Sequence, residues 1–104
     1  MHVQVLVVPD CPHADTTTAV VRGALEEIGL GAVSIESVLV TSQAQAEQLG
    51  FGGSPTVMID GRDPFADPAQ SPGLACRLYR DTTTLTGTPP EDQIRRALRQ
   101  AVSA

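Results

Sequence analysis

The stretch VQVLVV at residues 3–8 is a short β-branched run closed by Pro9, and it constrains the fold more than any other feature of the chain. Its near-continuous apolar character predicts a central strand covered on both faces. A helical pattern follows at once. Thr17, Val20, Val21, Ala24, Leu25 and Ile28 recur at three- and four-residue intervals. Pro12 suits the first turn of that helix, and Gly29 and Gly31 end it. VSIESVLV, residues 33–40, then predicts a second strand. Two strands joined through one helix of this length make a right-handed crossover with the strands parallel.

The remaining segments extend that unit. Thr41 or Ser42 caps a short second helix that stops at Gly50. After the loop GFGGSP, TVMID at residues 56–60 predicts a third strand, turning at Gly61 and Arg62. Residues 63–73 are rich in Pro and Asp and are expected to form an irregular insertion. CRLYR, residues 76–80, alternates and predicts a fourth strand. In TPPEDQIRRALRQAV, Thr88 is expected to cap a last helix, with Pro89 in its first turn and Glu91 completing a capping box. Ile94, Ala97, Leu98 and Ala101 would form its buried face. The predicted order is β-α-β-α-β-β-α in one domain over residues 1–104, with a mixed four-stranded central sheet and flanking helices.

Bulk properties narrow the function. A chain of 104 residues can bury a core without disulfide staples or a structural metal. With two Phe, one Tyr and no Trp, that core must be Val, Leu, Ile and Ala. The net charge is −5 and the seven basic residues, all Arg, form no stripe, which argues against nucleic acid as a partner. The apolar run at the start lacks a charged leader and is too short to span a membrane. A cytoplasmic protein with reduced thiols is expected. Cys11 and Cys76 are too few for a disulfide scaffold or an all-protein zinc cage, so no metal site is expected. His2 is read as an exposed residue, Asp60, Asp63 and Asp67 as solvated loop carboxylates, and Arg77 and Arg80 as exposed edge-strand charges.

The chemistry concentrates at DCPHA, residues 10–14. Cys11 stands where the first strand ends and the first helix opens. A helix N-terminus favours an anionic sulfur through its free N–H groups and its dipole. His13 is close enough in sequence to supply charge or a hydrogen bond. Asp10 would oppose that effect if it faced the thiol, and is expected to point outward. The alternative is a cysteine that only packs beneath the helix.

Two motifs in this order, DCPHA after the first strand and GSPTVMIDG entering the third, resemble the thioredoxin-like superfamily over nearly the whole chain. The first is similar to the C-P-H-C site of the disulfide oxidoreductases, with Ala14 in place of the second cysteine. The second is similar to the cis-proline segment. The resemblance implies a thiol–disulfide oxidoreductase or thiol-transfer protein with Cys11, Pro12 and His13 at the reacting centre. It further implies that Pro55 is cis beside the sulfur. Ser54 would offer its backbone N–H and C=O to an extended substrate. Protein or small-molecule thiols and disulfides would be the partners, and no resident cofactor is implied.

Without a cysteine at position 14, the mixed disulfide on Cys11 has no internal route of release through the C-x-x-C pair. An outside thiol such as glutathione or mycothiol is the expected resolver. Cys76 is the other choice. An antiparallel fourth strand would start Cys76 at the end of the sheet away from Cys11, whereas the long insertion could carry it back. Two further readings remain. The region from Asp60 to Arg80 resembles segments of small bacterial thioredoxin-like proteins labelled alkylmercury lyase. On that reading Cys11 and Cys76 would bind mercury and Asp15 or Asp63 would supply a proton. The last reading is a non-enzymatic adaptor with a vestigial Cys11.

Overall fold

The computed structural model describes residues 1–67 and 71–103. Strand β1 (Val3–Val7) leads to helix α1 (Ala14–Glu27), strand β2 (Ile35–Leu39), helix α2 (Gln43–Leu49) and strand β3 (Thr56–Ile59). Strands β4 (Tyr79–Asp81) and β5 (Thr84–Thr86) and helix α3 (Glu91–Ser103) follow. The central sheet has the order β2-β1-β3. β1 and β2 are parallel, with Val3 opposite Ile35 and Val7 opposite Leu39. β1 and β3 are antiparallel, from Val3 opposite Ile59 to Leu6 opposite Thr56.

The alternation of each strand assigns its residues to two layers. Val3, Val5 and Val7 with Val57 and Ile59 face α1 and α3, where they meet Val21, Ala24, Leu25, Ile94 and Leu98. Leu6 and Met58 face the other way, toward Val40, Ala46 and Phe51 beside α2. Each fully buried Val or Leu in these clusters contributes about 1.5–3 kcal/mol relative to exposure. The short helix α2 starts as its sequence implies: the Ser42 side chain accepts from the Gln45 N–H, and Gly50 ends it.

The central sheet has three strands among the described residues. The segment CRLYR does not add a fourth: only Tyr79 and Arg80 are in β4, which pairs with β5 as a separate hairpin, Arg80 opposite Leu85. The alternation at residues 76–80 is real, but its inward residues are Arg77 and Tyr79, while Cys76, Leu78 and Arg80 are exposed. Arg77 is therefore no edge charge. It is 3% exposed, and its guanidinium reaches Asp63 at 2.6 Å, which is no solvated loop carboxylate either.

Helix α1 begins at Ala14 with His13 as N-cap, so Pro12 lies ahead of the helix rather than in its first turn. Helix α3 begins at Glu91, and the Thr88 hydroxyl is turned to Thr17 Oγ1, at 3.1 Å, instead of capping. That hydrogen bond spans 71 residues and ties the approach to α3 onto buried Thr17 of α1. Part of the insertion expected at residues 63–73, positions 68–70, lies outside the described residues.

Candidate functional site

The C-terminal end of β1 delivers Cys11 through a tight reversal. Pro9 is followed by Asp10 in the left-handed region, at φ 60°, which is the pattern of a type II turn. Aspartate adopts that conformation more readily than most residues because its short polar side chain bonds locally. Asp10 is exposed. Beyond the turn Cys11 is half-buried and packs against the apolar cluster shared by the sheet, α1 and α3. Its carbonyl accepts from the Ala14 N–H at 3.3 Å, and the His13 carbonyl accepts from Thr17 at 3.0 Å, which starts α1. Ala14 occupies the first helical position and presents no second thiol.

His13 makes no side-chain capping bond. Its imidazole lies over Gly87, in the loop between β5 and α3. A Cβ built on Gly87 would meet ring Cδ2 at 2.5 Å and Cε1 at 2.6 Å. The loop before α3 therefore reaches the mouth of α1 and brings its backbone against the ring of His13.

Ser54 is fully engaged within the chain. Continuing the β1–β3 register sets it across from Val8, and its Oγ accepts the Val8 N–H at 3.1 Å. Its own N–H donates to the Ala75 carbonyl at 2.9 Å, and its carbonyl accepts the Arg77 N–H at 2.9 Å. The two backbone groups that the family resemblance assigns to an extended substrate are thus occupied by residues 75–77. The Ser54–Pro55 peptide bond is cis. Pro55 is buried, and its carbonyl accepts from the Tyr79 hydroxyl.

Cys76 sits opposite Ser54 in a parallel bridge. After β3 the chain does not return as an antiparallel neighbour. Residues 75–77 run alongside Ser54 in the same direction, so Cys76 lies at the end where β1 stops and β3 starts. Cys76 is therefore not at the far end of the sheet, where an antiparallel fourth strand would have started it. Both cysteines are free thiols, Cys11 half-buried and Cys76 exposed.

A buried polar cluster mounts this segment. The guanidinium of Arg77 donates to Asp63 Oδ2 at 2.6 Å, to the Phe65 carbonyl at 2.5 Å and to Thr56 Oγ1 at 3.1 Å. It also lies over the Tyr79 ring, 4.8 Å from the centroid, and Phe65 meets that ring edge-on at 5.5 Å. Burial pushes the Tyr79 phenol well above its ordinary range. Gly53 has φ 122°, and a Cβ there would lie 3.0 Å from Arg77 Cβ and 3.1 Å from the Ala75 carbonyl oxygen. Only glycine permits this approach of the two backbones.

Gly53, Arg77 and Gly87 were not read as site residues from the sequence, and Asp63 only as a proton source on the mercury reading, whereas the structure binds its carboxylate to Arg77. GFGGS did carry a signal, since paired glycines mark close backbone approach. Asp63 and Arg77 carried none, because nothing local links charges 14 residues apart. Asp15, the alternative proton source, is exposed in the first turn of α1. Among the described residues no group of three or more His, Cys, Asp or Glu could hold a metal ion. No helix among them is long and apolar enough to cross a membrane.

A family model described as a thioredoxin domain matches residues 1–65. That span takes in β1, Cys11, α1, the Ser54–Pro55 bond and β3, and stops before Cys76. No curated protein and no solved structure matches the chain.

Proposed function

The chain belongs to the thioredoxin-domain family, and on that premise we propose that it carries out thiol–disulfide exchange with Cys11 as the nucleophile. The observation that carries this reading is the position of Cys11 between two anchored elements. Val8, three residues before it, is held by Ser54 Oγ, and the carbonyl of His13, two residues after it, opens α1. Cys11 stands three residues before Ala14, the first residue of α1, so the chain carries its thiol to the N-terminal end of that helix. Cys11 is half-buried and so still partly accessible.

In the exchange, the Cys11 thiolate attacks one sulfur of a substrate disulfide. A Cys11–substrate disulfide forms, and the other substrate sulfur leaves as a thiolate. Ala14 cannot attack that bond, so a thiol from outside the DCPHA segment must. A cytoplasmic setting and a low-molecular-weight thiol such as glutathione or mycothiol belong to the same proposal.

A coloured aromatic disulfide, dithiobisnitrobenzoate, tests it. In the Cys76→Ser variant, Cys11 should release the nitrothiolate at least ~10-fold faster when folded than when unfolded in urea. Cys11→Ser should abolish the fast phase. A folded rate no greater than the unfolded rate removes this reading and leaves the adaptor.

The position of Cys76 beside Ser54 favours one second reading, capture of Hg(II) or an organomercurial by both thiolates. It requires one mercury per chain, with tight binding lost in either cysteine variant.

A further inference from the structure

We propose that Cys76 is the resolving thiol for Cys11, which makes the protein a two-thiol exchanger whose cysteines lie on different structural elements. The inference rests on the thiol-exchange reading of Cys11. Its ground is the way three backbone segments meet at one end of the sheet. Val8 and Cys76 flank Ser54 on its two sides, one through the Ser54 hydroxyl and the other through a backbone bridge. Neighbouring strands lie about 4.8 Å apart, so Val8 and Cys76 are separated by only two such spacings. From Val8 the Pro9–Asp10 turn folds Cys11 back over the apolar cluster instead of away from the sheet.

The mount of Cys76 is far stronger than an exposed thiol needs. Its two neighbours donate and accept the Ser54 backbone bonds at 2.9 Å each. The next side chain is the buried Arg77, held by an ion pair, a backbone carbonyl and a threonine hydroxyl. Gly53 is open at its α-carbon so that the segment can approach. These contacts fix residues 75–77, while Cys76 itself is exposed. A free thiol is thereby held in one place at the end of the sheet where Cys11 emerges.

The Cys76 thiolate attacks Cys11 Sγ in the Cys11–substrate disulfide. The Cys11–Cys76 bond forms, the substrate sulfur leaves with the electron pair, and water protonates it. The protein is then oxidised by two electrons and the substrate disulfide is fully reduced. Two molecules of a low-molecular-weight thiol, or one dithiol, reduce the Cys11–Cys76 bond and depart as a disulfide. The loop that this bond closes lies within one folded chain, so its formation is intramolecular and independent of protein concentration.

Reaction with one equivalent of dithiobisnitrobenzoate, followed by intact mass and peptide mapping, tests the role. Wild type should release two nitrothiolates and finish two hydrogens lighter, with Cys11 bonded to Cys76. Cys76→Ser should lose the second release and retain the nitrobenzoate adduct on Cys11. Adding Ala14→Cys to Cys76→Ser should restore the second release, because a thiol then stands in the first turn of α1. That third variant shows that the loss in Cys76→Ser comes from a missing thiol and not from misfolding. A stable adduct on Cys11 of the wild type, with Cys76 still free, overturns the resolving role alone. Failure of Cys11 to take up the reagent overturns the exchange reading beneath it.

Discussion

The imidazole of His13 rests on the backbone of Gly87, 74 positions away in sequence, and leaves no room for a side chain there. The contact joins the mouth of α1 to the loop that leads into α3. It lies next to the Thr17–Thr88 hydroxyl pair, which makes the same connection.

Gly87→Ala should therefore cost at most about 1 kcal/mol, the low end of the range for forcing in an extra carbon, because the obstructing atoms are the tip of the His13 side chain and can swing aside. His13→Ala removes the obstruction. In a double-mutant cycle read by urea denaturation, Gly87→Ala should be far less harmful in the His13→Ala background. Strict additivity of the two substitutions would show that the ring does not rest on Gly87 in solution.

The Asp63–Arg77 pair predicts a different pattern. Its side chains are 9% and 3% exposed, so removing one partner strands a buried charge. Asp63→Leu should cost about 3–5 kcal/mol. Asp63→Leu combined with Arg77→Met should cost less than Asp63→Leu alone, since no uncompensated charge remains. Salt should change the Asp63→Leu penalty little, because buried pairs are poorly screened. A penalty that vanishes in high salt would mean that the pair is open to water.

Tyr79 makes alkaline stability a readout of the same cluster. Burial raises its phenol above the ordinary value in the folded chain, with the nearby Asp63 charge adding to the effect and Arg77 opposing it. The unfolded chain gives up this proton near pH 10. Between that value and the higher folded one, the native state binds more protons than the unfolded state, so stability falls as pH rises. Below pH 10 the contribution is fully present. Tyr79 is the sole tyrosine, so phenolate absorbance reports it alone. The signal should appear together with unfolding, above the pH at which a free tyrosine titrates. Titration near pH 10 in a chain that remains folded would contradict the buried hydroxyl bonded to the Pro55 carbonyl.

The first half of the chain was legible because its determinants are local. Residues 3–8 could only be a buried strand. Apolar residues at helical spacing between Thr17 and Ile28 then produced α1, and β2 returned parallel, as a single crossover requires. Ser42 and Gly50 marked α2 from their own chemistry. The order of DCPHA and GSPTVMIDG was enough to point to the family, and those motifs lie within the matched residues. Beyond β3 the local signals ran out. The hairpin of β4 and β5 turns through Thr82 at φ 47°, a conformation that a β-branched residue does not announce and that Asn-Gly would have. Thr88 looked like a cap, yet its hydroxyl answers Thr17 instead.

What the sequence by itself determined is the strand–helix–strand frame and the exit of Cys11 between its first strand and first helix. These follow from side-chain periodicity and turn chemistry within a few residues of each other. What only the tertiary structure decided is the course of the described residues between 60 and 90. There Arg77 turns inward to Asp63, Gly53 admits the backbone of residues 75–77, and Cys76 comes to rest against Ser54. The alternation in CRLYR is the same whichever way the segment runs. Its direction is set by a buried charge that must find its partner, and that partner is supplied by the folded chain and not by its neighbours in sequence.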